Sequence, residues 1–466
     1  MYKDQIAEFI MSHRDEMLKD IGDLIRINSE KMPARENMPY GEGPYMALKL
    51  AMEKARGYGF RTTNYDNYVG AIDMGSDEAQ LDILAHLDVV PVTPEGWTVT
   101  GPFEPKVVGD RLYGRGSCDD KGPAMAAFYA MRCVKELGIP LKKRVRLLLG
   151  TDEECGSSDI AYYYAKEKEA PMTFSPDAEF PVINLEKGHY VSSFEADFAD
   201  TCARQVLAIA SGTKFNVIPE DAVFKISGLD SSDVDCMRAQ AGDLGVALEI
   251  SQDGDVTTVA VKGKGGHAAF PEGANNALTA AISIICGVIE PDCDANRAVI
   301  ALGEMFPHGD YLGESAGVKM SDDISGDLTI SLNMIELDGC RVCATFDSRY
   351  PVCGTVETTA DVLERNGLKY GLRLTSKTMT KPHYVDPDSD FIRTLLADYE
   401  MYKNKPARCV AIGGGTYVHN LKNGVAYGPA EFDTVNNMHG NDENVPIEEL
   451  TSAACIYAQV IIDLCS

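Results

Sequence analysis

An apolar run in this chain ends in a cluster of carboxylates. Residues 145–150 have the composition of a buried strand, and Asp152, Glu153 and Glu154 follow it almost directly. Ionised carboxylates at the end of a core strand need a partner, and a metal ion is the least costly one. A second apolar run leads in the same way into His86 and its neighbours. The sequence therefore predicts a hydrolytic metal site at the ends of these strands.

The elements around these clusters alternate between strands and helices. Residues 68–74, 81–85 and 144–150 have strand patterns, and residues 124–136 have the spacing of a helix. In open α/β sheets the ligand site lies at the carboxyl ends of the strands, where the carboxylate clusters also lie. The sequence therefore predicts an α/β catalytic domain with a mixed, mostly parallel sheet flanked by helices.

The pattern changes between residues 188 and 383, where alternating strands accompany amphipathic helices. After this segment, residues 408–412 and the following glycines resume the strand-then-turn pattern, and residues 446–464 read as a closing helix. A chain of 466 residues is also too long for one hydrophobic core. We expect a discontinuous metal-binding catalytic domain, residues 1–187 and 384–466, interrupted by an inserted α+β lid domain, residues 188–383.

Charge and composition limit the classes of partner that the protein can bind and indicate its cellular compartment. The formal net charge is −28, which disfavours nucleic acid and anionic membranes as partners and favours small molecules. Residues 277–289 are too short to span a bilayer, and the N-terminus lacks an apolar signal core. The 13 cysteines are an odd number without framework spacing, which fits a reducing compartment. We expect a cytoplasmic protein that binds neither nucleic acid nor membranes.

Several short motifs arrive in a fixed order along the whole chain. They are His86-Leu87-Asp88, Cys118-Asp119-Asp120-Lys121-Gly122, Asp152-Glu153-Glu154-Cys155-Gly156, Ser175-Pro176-Asp177, Asn216-Val217-Ile218-Pro219, Gly266-His267-Ala268 and Met438-His439-Gly440. Together they resemble the dinuclear zinc metallopeptidase family of dipeptidase PepV, carnosinase, carboxypeptidase G and aminoacylase. The resemblance is strongest to PepV-type bacterial dipeptidases.

The resemblance implies two Zn²⁺ ions per chain. Asp119 would bridge the ions, His86 and Asp177 would complete one site, and Glu154 and His439 would complete the other. A shared anionic ligand offsets the repulsion between two cations. Mn²⁺ or Co²⁺ can also occupy a site this rich in carboxylates. Four other histidines match no ligand position and are expected to be surface or packing residues: His13, His189, His308 and His383.

The resemblance also assigns catalytic roles. Glu153 resembles the general base, which takes a proton from the attacking water and returns it to the departing amine. Asp88 would accept the second imidazole N–H of His86, and His267 would stabilise the oxyanion. The alternatives are a loop-capping role for Asp88 and a loop histidine at position 267. Taken alone, Asp119 and its neighbour could also form a solvated turn.

Three further residues are expected to bind substrate. Arg349 resembles an arginine that grips the terminal carboxylate in a bidentate fork, with a structural ion pair to Asp347 as the alternative. Asn216 resembles a substrate-contacting asparagine, and Gly414 would let backbone amides approach the same carboxylate. The chain departs from the family pattern at residues 418–419, where the family has a small residue and then arginine.

By resemblance, the expected activity is hydrolysis of unblocked dipeptides. One alternative is an N-acyl-amino-acid deacylase that uses the same metal centre and base. Another is a catalytically silent binding protein on the same fold, although such a protein has no use for the base Glu153. The predicted insert is nearly twice as long as the lid of dimeric relatives, so we expect a self-sufficient monomer.

Overall fold

The apolar runs of the sequence form the centre of a nine-stranded mixed sheet. The structure, a computed structural model, describes residues 2–466. Strands Arg144–Gly150, Ala79–His86, Met172–Ser175 and Gly424–Ala426 are neighbours and run parallel to one another. The pairings on either side of these four strands are antiparallel. The predicted mixed sheet is confirmed, and its four central strands are parallel.

The remaining strands of this sheet are short or lie towards its edges. On one side lie Arg61–Tyr65 and Val69–Met74, and on the other lie Val182–Glu186, His383–Tyr384 and Cys409–Ile412. Smaller sheets join Lys106–Val108, Arg111–Tyr113 and Asn444–Pro446, and join Ala178–Glu179 with Pro429–Ala430.

Helices cover the mixed sheet and bury its apolar side chains. Helices Lys121–Glu136 and Ile447–Cys465 pack against each other and are buried around most of their circumference, which explains their nearly continuous apolar sequences. The other helices of this part of the chain are Lys3–Ser12, Arg14–Ile25, Glu42–Gly57, Ser158–Tyr164 and Asp390–Lys403. None of the helices within residues 2–466 is long and apolar enough to cross a membrane.

The chain divides into two compact units. The first unit contains the described residues up to 185, together with residues 384–410 and 415–466, and the second contains residues 186–383 and 411–414. These bounds differ from the predicted ones at residues 186–187 and at residues 411–414, which group with the second unit. The roles of catalytic domain and lid stay predictions.

The second unit is built on an eight-stranded antiparallel sheet. In spatial order its strands are Ala247–Asp253, Val256–Lys262, Asp221–Ser227, Val206–Ser211, Thr329–Leu337, Arg341–Tyr350, Gly188–Asp197 and Arg373–Leu374. Its helices are Ser231–Leu244, Ala277–Cys286, Asp294–Met305 and Ala360–Lys369. Short strands complete it: Val217–Ile218 with Gly266–His267, and Ser321–Asp322 with Gly326–Asp327. The sheet and helices enclose a separate hydrophobic core, in agreement with the predicted α+β architecture.

Candidate metal centre

The five predicted metal ligands lie together in the first unit. His86 is the last residue of a central strand, and Asp177 lies two residues beyond the neighbouring strand Met172–Ser175. Glu154 lies in the short 3₁₀ helix Glu153–Cys155, just after a third parallel strand. Asp119 immediately precedes the cap of helix Lys121–Glu136, and His439 lies in a loop. Because the carboxyl ends of parallel strands meet at one edge of a sheet, His86, Asp177 and Glu154 converge. The other two ligands lie in contact with them.

The two oxygens of Asp119 face different histidines. Oδ1 lies 3.0 Å from His86 Nε2, and Oδ2 lies 2.9 Å from His439 Nε2. His86 Nε2 also lies 3.4 Å from Asp177 Oδ2, and His439 Nε2 lies 3.3 Å from Glu154 Oε2. The cluster therefore consists of two histidine–carboxylate pairs that share the Asp119 carboxylate.

The unsatisfied atoms of this cluster fit divalent cations. His86 Nε2 and Asp119 Oδ1 are buried without a hydrogen-bond partner within residues 2–466. Such atoms are costly to bury unless a cation binds them. Ligand atoms of His86, Asp119 and Glu154 lie within 4.8 Å of one another, as do those of His86, Glu153 and Asp177. Imidazole nitrogen and carboxylate oxygen are donors that zinc, manganese and cobalt accept. The assignment of each ligand to one ion stays a prediction.

The electrostatics of the cluster show an excess of carboxylate. Burial raises the pKa of Asp177 and of Glu154, and the nearby charge of Asp119 raises both further. Hydrogen bonds with Asp119 and Glu154 raise the pKa of His439 to about 10. Burial lowers the pKa of His86, but its contacts with the carboxylates outweigh burial and raise that pKa well above its usual range. Positive charge is therefore strongly favoured at this position.

His86 is oriented by the backbone of Asp88. The ring Nδ1 lies 3.1 Å from the Asp88 carbonyl oxygen and 3.4 Å from its carboxylate. Because a carbonyl oxygen only accepts, Nδ1 carries the proton and Nε2 presents its lone pair to the cluster. The predicted partner was the Asp88 carboxylate, but this carboxylate accepts the backbone N–H groups of Glu153 and Glu154 at 3.2 and 3.1 Å.

Glu153 is a half-buried carboxyl group beside the cluster. Burial raises its pKa well above the usual range, His86 opposes this shift, and the charges of Asp177 and Asp119 add to it. Catalytic acids and bases work best when their pKa lies near the operating pH. The position of Glu153 suits proton transfer, and its role as base stays a prediction.

The structure adds a buried carboxylate that the sequence did not predict. Glu443 is fully buried and accepts the backbone N–H groups of Gly116, Cys118 and Asp119 at 3.0, 3.0 and 3.3 Å. It also pairs with Arg115 at 2.5 Å. Glu443 therefore holds the loop that carries the shared ligand. The available signal was its place four residues after the predicted histidine ligand.

Asp120 is a second supporting residue. Its Oδ2 accepts the backbone N–H of His86 at 2.9 Å, and its side chain is fully buried. Asp119 is also buried. The alternative of a solvated turn at these two residues is therefore wrong, because the turn packs beneath the strand ends.

His267 and Asn216 lie together in the second unit. The strand Gly266–His267 pairs with Val217–Ile218, and the Asn216 carbonyl accepts the backbone N–H of Ala268 at 3.0 Å. The backbone N–H of Ala269 donates to His267 Nδ1 at 3.1 Å. Burial and then the charge of Arg349 lower the pKa of His267. The neutral ring therefore carries its proton on Nε2 and presents it as a donor.

Arg349 forms the ion pair that was the structural alternative. Its Nε and Nη2 donate to the two oxygens of Asp347 at 2.8 and 3.0 Å, and its Nη1 donates to the Gly413 carbonyl at 2.8 Å. Gly414 is half-buried, and a Cβ added there would meet nothing within 4 Å. All these groups lie in the second unit. The substrate roles of Arg349, Gly414, Asn216 and His267 stay predictions.

Comparisons with known proteins show which family and which fold the chain resembles. The sequence model of "Peptidase family M20/M25/M40" matches residues 83–463. A Beta-Ala-Xaa dipeptidase of Lactobacillus delbrueckii subsp. lactis is 33% identical over 467 residues, which cover 98% of this chain and 97% of that protein. The crystal structure of human carnosine dipeptidase 1 has a TM-score of 0.60 at 13% identity and covers 100% of this chain and 99% of its own. That of aminoacylhistidine dipeptidase from Vibrio alginolyticus has a TM-score of 0.58 at 15% identity and covers 97% of this chain and 96% of its own. At these identities the two structures show a shared fold.

Proposed function

Because the chain belongs to peptidase family M20/M25/M40, we propose that it is a metal-dependent dipeptidase that hydrolyses unblocked dipeptides. The predicted family resemblance is confirmed by this membership. The observation that carries the proposal is the full-length similarity to a Beta-Ala-Xaa dipeptidase. The histidine–carboxylate cluster around Asp119 supports it, because a metallopeptidase needs such a ligand set.

We propose that the cluster holds two divalent cations, Zn²⁺ by family resemblance, with Mn²⁺ or Co²⁺ as possible substitutes. Asp119 would bridge them, with His86 and Asp177 on one side and Glu154 and His439 on the other. The division of the Asp119 oxygens between the two histidines supports this assignment. When bound, the cations supply Lewis-acid activation of water and of the scissile carbonyl.

Proton transfer is assigned to Glu153. Its carboxylate takes a proton from the attacking water and then delivers this proton to the departing amine. Asp88 positions Glu153, because the Asp88 carboxylate accepts the backbone N–H groups of the short helix that carries it. Burial and the neighbouring carboxylates favour the protonated form of Glu153, which suits the second step.

We assign substrate binding and stabilisation of the transition state to residues of the second unit. His267 would donate its Nε2–H to the developing oxyanion, in the tautomer that the Ala269 backbone N–H supports. Arg349, Asn216 and the backbone at Gly414 would bind the terminal carboxylate and place the scissile bond. The pairing of Arg349 with Asp347 supports this role, because the ion pair fixes the guanidinium plane.

An assay on matched substrates tests the proposed function. The purified protein, loaded with Zn²⁺, Mn²⁺ or Co²⁺ in turn, is given a free dipeptide and its N-acetylated form. We expect hydrolysis of the free dipeptide, loss of activity with a chelator and recovery on adding metal. Preference for the acetylated form would instead support an N-acyl-amino-acid deacylase. No hydrolysis of either substrate with any of the metals would contradict both activities.

We further propose that the protein acts as a monomer in the cytoplasm. The length of the second unit, by family resemblance, supports a single chain that supplies both the metal centre and His267. Mixing the inactive variants Glu153→Gln and His267→Ala tests this. A self-sufficient monomer shows no recovery of activity, whereas recovery in the mixture would place His267 in the site of a neighbouring chain.

A further inference from the structure

A buried carboxylate in the second unit joins two potential cations. Asp347 accepts two hydrogen bonds from Arg349, and its Oδ2 lies 2.8 Å from Nε2 of His189. The Asp347 side chain is fully buried and that of Arg349 is 7% exposed, whereas the His189 side chain is 28% exposed. The histidine is thus the member of this group that solvent or a ligand can reach most easily.

The strand register explains how the three side chains meet. His189 and Arg349 are direct partners across the antiparallel strands Gly188–Asp197 and Arg341–Tyr350. Asp347 lies two residues before Arg349 and therefore points to the same face of the sheet. Two cations in directly opposed positions repel each other unless an anion lies between them. Asp347 provides this anion.

One carboxylate offsets only one of these charges. When His189 is protonated, the group of His189, Asp347 and Arg349 carries one net positive charge. A second carboxylate, supplied by a ligand, would complete the charge balance. The group is therefore a receptor for one anionic group.

The unused donors of the group agree with this role. Arginine has five N–H donors, and Arg349 uses three of them on Asp347 and on the Gly413 carbonyl, which leaves two. The His189 ring contacts Asp347 through Nε2, and Nδ1 has no hydrogen-bond partner within the described residues 2–466. Arg349 can therefore donate to a further acceptor. Nδ1 of His189 can do so when the ring carries a proton on both nitrogens, because Nε2 faces the Asp347 carboxylate.

The group also lies close to the residues that are assigned to substrate. The His189 ring centroid lies 5.9 Å from that of Phe215, which directly precedes Asn216. Burial is the largest cause that lowers the pKa of His267, and Arg349 lowers it further. Asp347 raises this pKa, and His189 lowers it. These three side chains are therefore electrostatic neighbours of His267.

We propose that His189 is a substrate-binding residue that donates Nδ1–H to the terminal carboxylate of the dipeptide beside Arg349. Asp347 holds both donors in place. This inference rests on the proposed function and adds His189 to the residues that bind the terminal carboxylate. The sequence had indicated a surface or packing role for His189, because this histidine matches no motif; the inference gives it a role in substrate binding.

The test compares a dipeptide with its C-terminal amide. In His189→Phe, we expect the KM of the free dipeptide to rise about ten- to a hundredfold, because a charge-assisted hydrogen bond is lost. The kcat should change by less than about fivefold. The KM of the amide, which has no carboxylate, should stay within about twofold of the wild-type value. His189→Gln retains a neutral donor and should give an intermediate KM for the free dipeptide.

A matched control separates binding from folding. His308 lies in the same unit and its ring Nδ1 lies 3.0 Å from the Thr279 hydroxyl, so His308→Phe removes a comparable contact. We expect it to leave both KM values near wild type. Thermal unfolding checks each variant, and His189→Gln decides the question if His189→Phe does not fold.

Different experimental results would contradict this inference and the proposed function. Active His189 variants with an unchanged KM for the free dipeptide would overturn the inference and leave the dipeptidase assignment intact. An equal rise in KM for the dipeptide and its amide would also overturn it. Absence of dipeptide hydrolysis by the wild-type protein would contradict the proposed function itself.

Discussion

Asp88 Oδ1 accepts a hydrogen bond from the backbone N–H of Glu153 at 3.2 Å. The backbone carbonyl of the same aspartate orients His86. One residue therefore positions both a predicted metal ligand and the predicted base. Such supporting contacts affect metal affinity and activity although they touch neither ion nor substrate.

Replacing Asp88 should disturb both functions together. Asp88→Ala keeps the backbone carbonyl that orients His86 but removes the acceptor of the Glu153 and Glu154 N–H groups. Because these two residues are the predicted base and a predicted ligand, we expect kcat to fall by at least about tenfold and metal affinity to fall by about 10–100-fold. Steady-state kinetics and metal titration measure the two effects. Asp77→Ala, at a carboxylate whose side chain is 94% exposed, is the control. Unchanged kinetics and metal affinity in Asp88→Ala would contradict the positioning role.

Glu153→Gln should separate chemistry from metal binding. The amide keeps the size of the side chain but cannot accept the proton of water, so we expect kcat to fall by at least about 100-fold. Both cations should remain bound, as measured by elemental analysis of the purified variant. Glu78→Gln, at an exposed position, should behave like the wild type. Near-normal turnover of a fully metallated Glu153→Gln protein would remove Glu153 from the base role.

Asp119→Ala should cost the protein at least one cation. The two histidines face different oxygens of this carboxylate, so its removal takes the shared anion from both sites. Without it, repulsion between two nearby dications is not offset. Elemental analysis should then find fewer than two metal equivalents per chain, together with loss of activity. Retention of two equivalents would argue against a bridging role.

Glu443 should matter for stability as well as for the site. Glu443→Ala would leave the buried Arg115 unpaired and three backbone N–H groups without an acceptor. We expect a loss of about 3–5 kcal/mol in the free energy of unfolding, measured by urea denaturation of the metal-free protein. As a control, Asp77→Ala removes the exposed ion-pair partner of Arg61. It should lower the free energy of unfolding by less than about 1 kcal/mol. A Glu443→Ala protein as stable as the wild type would contradict this account.

The site residues that could be predicted are those whose positions follow from local sequence patterns. His86, Glu154 and Asp177 were recognisable because each comes at or just after an apolar strand, and parallel strands bring their ends together. The central strands and the closing helix were predictable for the same reason, because their apolar runs are long and continuous. The family motifs then supplied Asp119 and His439.

The remaining features depend on contacts between distant segments. Glu443 lies more than 300 positions from the loop it holds, so no spacing rule connects them. The Asp88 contact with His86 uses a backbone carbonyl, which every residue has, so residue type does not reveal it. The contacts of Asp347 with Arg349 and His189 depend on strand register, and a shift of one residue would turn these side chains to the opposite face.

A buried carboxyl group in the first unit should make stability depend on pH. Asp398, in helix Asp390–Lys403, is 1% exposed, and burial followed by the charge and hydrogen bond of Asp463 raises its pKa to about 8. A folded-state pKa above the unfolded value of 3.8 means that the folded protein binds this proton more tightly. The stabilisation is therefore complete below about pH 4 and is lost as the pH rises towards about 8.

Asp398→Asn removes this titration. Relative to the wild type, the variant should gain stability between pH 5 and pH 8, by roughly 2–5 kcal/mol in the free energy of unfolding. Urea denaturation of both proteins at several pH values measures the difference, in which the titration of all other groups largely cancels. Asp388→Asn, at an 82% exposed carboxylate in the same region, should show no such trend. A difference between Asp398→Asn and the wild type that stays constant with pH would show that the Asp398 carboxyl does not change its protonation in this range.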